Sequence, residues 1–121
     1  MSKNYKYDLE DRLIEFAVRI IKLGETLPNT KSGNHIRSQL LRSGTSPAPN
    51  YAEAQSAESR SDFVHKIKIA LKELRETKVW LRMIGKASLL DSPSELSPLI
   101  QENDELISIL VTSAKTAQKT S

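Results

Sequence analysis

Apolar residues recur along this 121-residue chain with helical spacing, in four blocks separated by joints rich in proline, serine and asparagine. In the first block, read as a helix over 8–27, Leu9, Leu13, Phe16, Ile20, Leu23 and Leu27 follow one another at four and three residues. That spacing keeps a single apolar seam turned towards a core. Asp8, Glu10 and Asp11 suit the positive end of the helix dipole, and Pro28 stops the helix. The second block, 34–57, carries Ile36, Leu40 and Leu41 before it meets Pro47 and Pro49. Each proline removes an intrahelical N–H and frees the carbonyl four residues back, at Ser43 and Thr45. The pattern therefore predicts a kink or short break near 45–49, with the hydroxyls of Ser43, Thr45 and Ser46 as local donors to those carbonyls.

The third block, 61–89, has the cleanest seam: Phe63, Ile67, Ala70, Leu74, Thr77, Leu81 and Ile84. Ser59 and Asp62 form a capping pair ahead of it, and Asp91-Ser92-Pro93 closes it. The fourth block, 94–118, starts at either Ser92-Pro93 or Ser97-Pro98, each a serine cap followed by a proline suited to the first helical turn. Its seam is Leu96, Leu99, Asn103, Leu106, Leu110, Ala114 and Ala117, and Asn103 requires a hydrogen-bond partner if buried. The last four residues are expected to fray. Four amphipathic helices with short joints predict one all-α domain over 1–121. It is an up-down-up-down four-helix bundle whose second helix is kinked at Pro47/Pro49.

Two helices are more hydrophobic than one seam requires. Ile14, Val18 and Ile21 occupy a second face of the first helix; Ile69, Trp80 and Met83 lie away from the seam of the third. Left in water these residues make a sticky patch. They point either to an interface between copies of the chain or to a widened core.

Composition narrows the class. Four glycines, 38% hydrophobic and 27% charged residues suit a folded helical protein rather than a disordered one. The absence of cysteine excludes disulfides and thiolate metal sites. The N-terminus shows no apolar signal core and no run reaches membrane-spanning length, so a cytoplasmic protein without a membrane partner is expected. The net charge of +3 is unevenly placed: residues 35–86 carry ten basic and five acidic groups, while 87–121 carry two and five. Within the basic middle, Lys68, Arg75, Arg82 and Lys86 recur at i, i+7, i+14 and i+18, with Lys72 beside them, forming a stripe able to track phosphates. The competing reading is a solvated face softened by pairs such as Lys72–Glu76.

Arg42, Ser46, Asn50 and Glu53 sit at i, i+4, i+8 and i+11, a polar ladder on one face around the prolines. It reads as a buried network in which carboxylate and guanidinium need each other, or as a small-molecule site. Enzyme signals are poor. Asp62 and His65 lie at i, i+3, but a di-metal bundle needs two such pairs and two further carboxylates, and the other histidine, His35, stands elsewhere. No phosphate loop or nucleophile elbow is present, and no metal or cofactor is called for.

Residues 39–54 (Gln39-Leu-Leu-Arg-Ser to Asn50-Tyr-Ala-Glu-Ala54), followed by Ser59 and the run from Asp62 to Thr77, carry a family likeness. With them the chain resembles the bacterial "four helix bundle protein" family, which includes proteins encoded in intervening sequences of bacterial large-subunit ribosomal RNA genes. It is also similar to the accessory variability proteins of diversity-generating retroelements. Arg42, Ser46, Asn50 and Glu53 match the family's polar pattern, whereas Pro47 and Pro49 stand where many members carry aliphatic or small residues. The resemblance implies a homopentameric ring and, for the retroelement relatives, a basic surface that binds nucleic acid and a reverse transcriptase. The expected function is a non-enzymatic homo-oligomer that binds RNA or DNA through Lys68, Lys72, Arg75, Arg82 and Lys86 with little sequence preference. The alternative is a scaffold for a protein partner such as a reverse transcriptase.

Overall fold

The computed structural model describes residues 5–119, with side chains from residue 9 onward. The side chain of Asp8 and the outermost residues of the tail therefore lie outside the described residues. Among these, every regular element is helical. The elements are α1 (Tyr5–Glu25), α2 (Lys31–Thr45), α3 (Pro47–Gln55), α4 (Arg60–Lys86), a 3-10 turn (Pro93–Glu95) and α5 (Leu96–Lys119). Counting α2 and α3 as the two halves of one broken helix, they make four helices around one core. α1 and α4 each pack against α2, α3 and α5 but scarcely touch one another.

The first seam is buried as its spacing predicts, from Leu9 through Leu13, Phe16, Ile20 and Leu23 to Leu27. The joint that follows is held by side chains. Thr30 caps α2, its hydroxyl accepting from the Gly33 amide at 3.0 Å. With that cap α2 begins at Lys31 and not at 34, and Arg37 reaches back to donate to the carbonyls of Gly24 (2.8 Å) and Leu27. A Cβ at Gly33 would stand 2.1 Å from the Pro28 carbonyl oxygen, and one at Gly44 would stand 2.8 Å from Ile20. Glycine at these two positions lets the chain pass at that distance.

The predicted discontinuity interrupts the hydrogen-bond ladder at Ser46, whose own backbone stays helical (φ −71°, ψ −35°). α2 ends at Thr45, Ser46 is the hinge, and Pro47 opens α3 with Pro49 two residues on, both within a first turn whose N–H groups would lack partners anyway. The hydroxyls do not serve the freed carbonyls as expected. Thr45 donates to the Leu41 carbonyl (2.6 Å), and Asn50 clasps Ser46, its side-chain amide donating to the serine carbonyl (3.0 Å) and hydroxyl (2.9 Å). α3 buries Pro47, Ala48, Tyr51 and Ala54 against α1 and α4. Burial, with the charge of Glu10 adding to it, pushes the Tyr51 phenol above its ordinary value.

α4 supplies the longest piece of core, with Val64, Ile67, Ala70, Leu71, Leu74, Thr77, Leu81 and Ile84 buried, while Phe63 is only half-buried. Ser59 caps it by accepting from the Asp62 amide at 3.0 Å. It ends at Lys86, three residues earlier than its apolar pattern suggests. Ser88 takes a left-handed conformation (φ 53°), and the Leu89 amide donates back to the Ile84 carbonyl. The last helix uses neither serine as a cap: Pro93 opens the 3-10 turn with no hydrogen bond from the Ser92 side chain, and α5 begins at Leu96, with Ser97 and Pro98 inside its first turn. Two polar contacts inside the core fix α4 against its neighbours. The Thr77 hydroxyl shares a hydrogen bond with the Ser43 hydroxyl of α2 (2.9 Å) and donates to the Glu73 carbonyl; Asn103 of α5 donates to the Leu74 carbonyl (3.1 Å). The Asn103 side-chain oxygen has no partner among the described residues.

Candidate nucleic-acid interface

The seam of α4 fixes the direction of everything on its opposite side. With Leu74, Thr77 and Leu81 turned inward, Lys68, Lys72, Arg75, Arg82 and Lys86 all fall on one exposed face. At about 1.5 Å per residue the row from Lys68 to Lys86 is about 27 Å long. None of the five makes an ion pair among the described residues. In particular Lys72 and Glu76 are not paired, because Glu76 is engaged by Arg42 and by the Trp80 indole N–H.

Three of the five acidic groups of residues 87–121 are paired elsewhere. Arg12 holds Glu102 through two hydrogen bonds (2.8 and 3.0 Å) and also reaches Glu105. The Glu102 bond, ahead of the neighbouring charges, keeps the Arg12 guanidinium above its ordinary pKa. Lys78 pairs with Asp104 at 2.9 Å. The acidity of α5 is thus spent against α1 and the flank of α4, leaving the outer row of α4 as an uncompensated positive field.

Two depressions interrupt the row. One, about 330 Å³, lies between α4 and α5, where Lys68 and Arg75 meet Lys115 over a floor of Leu71, Val111 and Ala114. Lys115 has no part in the sequence pattern; it arrives from another helix, and only the α4–α5 packing reveals it. The second, about 570 Å³, is an open groove of Ile36, Val79, Met83 and Ala87 beside Arg82 and Lys86.

The polar ladder is not a buried network. Arg42 stands half-exposed and pairs with Glu73 (2.8 Å) and Glu76 of α4, while Glu53 is exposed and accepts from Lys66 at 2.7 Å. That bond, with the Glu53 charge behind it, raises the Lys66 pKa. Only Ser46 and Asn50 meet, as the clasp across the break. The second apolar face also divides. Ile14, Val18, Ile21 and Met83 are exposed, with Val79 beside Met83 in place of Trp80. Trp80 lies half-buried against the core, edge-on to His35 at 6.0 Å, and Ile69 is half-buried too. His65 is exposed, and no group of three or more metal-ligating side chains gathers among the described residues. No helix there is long and apolar enough to cross a membrane.

Comparison with known proteins agrees with the architecture. A crystal structure of a protein of unknown function from the S23 ribosomal protein family of Bacteroides thetaiotaomicron VPI-5482 superposes with a TM-score of 0.81. It is 36% identical over 88% of this chain and 98% of that one. Comparison with curated proteins finds no match. The family model of the 23S rRNA-intervening sequence protein matches residues 6–112. The chain belongs to that family.

Proposed function

We propose that this protein is a non-enzymatic, homo-oligomeric bundle that binds nucleic acid, RNA before DNA, through the outer face of α4 and with little sequence specificity. The observation that carries the reading is the row of unpaired cations. Like charges three and four residues apart destabilise a helix by a few tenths of a kcal/mol each, and Lys68, Lys72 and Arg75 are such neighbours. A polyanion relieves that repulsion, and Lys115 adds a fourth cation from α5. Contacts of this kind go to phosphate, so they position the chain on a nucleic acid without reading bases.

Self-association belongs to the same reading. Ile14, Val18, Ile21, Val79 and Met83 are large, apolar and exposed, and covering the remaining surface of each stabilises by about 1 kcal/mol. A homopentameric ring of up-down-up-down bundles is the arrangement the family resemblance implies, and a ring repeats the basic face on every copy.

The test is the affinity of the purified, sized protein for a single-stranded RNA across a salt series. Each phosphate neutralised contributes a slope of about −0.7 in log affinity against log salt, so four cations predict a slope of about −3. Lys68→Glu with Arg75→Glu and Lys115→Glu should flatten the slope and lower low-salt affinity at least a hundredfold. Flat or absent binding at low salt would end the nucleic-acid reading and leave the scaffold for a protein partner.

A further inference from the structure

The exposed large hydrophobic side chains of the described residues fall into two clusters: Ile14 (45% exposed), Val18 (37%) and Ile21 (43%) on α1, and Val79 (47%) and Met83 (45%) on α4. Since α1 and α4 scarcely touch, neither cluster can cover the other within one chain. Their surroundings carry opposite charge. On α1, exposed Asp11, Glu15 and Glu25 follow the same face as Ile14, Val18 and Ile21, with Lys22 among them. On α4, Val79 and Met83 line the groove of about 570 Å³ with Ile36 and Ala87, and its charged lining is Arg82 and Lys86.

From this pairing of shape and sign we infer that the groove beside α4 seats the α1 ridge of a second copy of the chain. The contact is head-to-tail. Ridge against ridge would oppose acid to acid, and groove against groove would leave two concave basic surfaces facing each other, so neither self-complementary arrangement is favoured. A head-to-tail contact repeats until it closes a ring or runs on as a filament. It also divides the basic row by task. Arg82 and Lys86 face the neighbour's carboxylates, and Lys68, Lys72, Arg75 and Lys115 remain open to phosphate. The inference rests on the self-association proposed above and specifies the two surfaces that meet.

The chain has no cysteine, so placed thiols report cleanly. Val18→Cys, Met83→Cys and the double variant, each as the full chain at low salt, are treated with a short bis-maleimide and resolved on a denaturing gel. Sedimentation of the unmodified protein runs in parallel. The double variant should give a ladder of covalent oligomers, and each single variant at least tenfold less product. In the double-cysteine chain, Arg82→Glu with Lys86→Glu should cut the ladder at least tenfold, and adding Asp11→Lys with Glu25→Lys should restore it. Dimers from a single variant as abundant as the ladder would overturn the head-to-tail contact. So would an uncross-linked double variant of a protein that sediments as an oligomer. A wild-type monomer at all concentrations would instead remove self-association itself, leaving the groove to a foreign acidic, apolar helix.

Discussion

Two sets of polar side chains, one along the outer contact of α2 and α3 with α4 and one in the core between α2, α4 and α5, are opposite in behaviour. Arg42, Ser46, Asn50 and Glu53 run along the outside. Two of them take partners from α4, and the middle two take each other. Ser43, Thr77 and Asn103 lie wholly inside, and each has its contact dictated by the neighbour that packing brings to it. Water sets the difference. An exposed polar group exchanges one partner for another at little cost, so its contacts follow the fold. A buried one loses about 1–3 kcal/mol without a partner, so its contacts constrain the fold. The buried set, though made of small uncharged groups, ties α4 to α2 and to α5, whereas the charged set decorates a surface already fixed.

The sharpest way to break this contrast is at Thr77. Thr77→Val keeps the volume and strands the Ser43 hydroxyl, so it should cost about 2 kcal/mol. In a domain of this size that is a fall in Tm of about 8 °C by calorimetry. Ser43→Ala in the same chain should return part of the loss; a double variant no better than the single would mean that the hydroxyl pair is not the cause. At Asn103 the expected sign reverses. Its amide gains one hydrogen bond while its oxygen has none, so Asn103→Leu should raise stability in urea by about 1 kcal/mol. A loss of similar size would show that the oxygen is satisfied in solution. Glu53→Ala, on the exposed set, should leave Tm unchanged, and a drop of several degrees would return the ladder to the interior.

Much of this was legible in the chain, and the parts that were not share a cause. Leu13, Phe16, Ile20, Ile67, Leu74, Leu81, Leu99, Leu106 and Leu110 are buried as their spacing requires, because a face is a property of one helix. The cap at Ser59 and the break before Pro47 follow from local chemistry in the same way. Partners across helices do not. Arg42 and Glu53 share a face, but eleven helical residues span about 16 Å, and Glu73 and Glu76 come closer from α4. Lys115 joins Lys68 and Arg75 only because α5 packs beside α4. Trp80 lies off the seam in angle, yet the reach of its ring carries it onto the core edge, while the shorter Val79 lies in the open. α4 stops short of its apolar pattern because Ser88, a serine and not a glycine, takes the left-handed position.

The break at Ser46 has a consequence for how the molecule opens. A continuous helix frays from its end, each lost turn exposing the next. Here Pro47 and Pro49 contribute no amide hydrogen to the ladder, and the junction is bridged by the Asn50 amide and side chain on Ser46. Fraying that enters α2 from the Lys31 end therefore meets a boundary before α3. The nine residues of α3 are too few to persist as an isolated helix, so their order depends on Tyr51 and Ala54 seated in the core. The broken helix thus behaves as two cooperative segments joined by a clasp. Hydrogen exchange would read this directly, the amides at the Lys31 end of α2 being expected to exchange before those of α3.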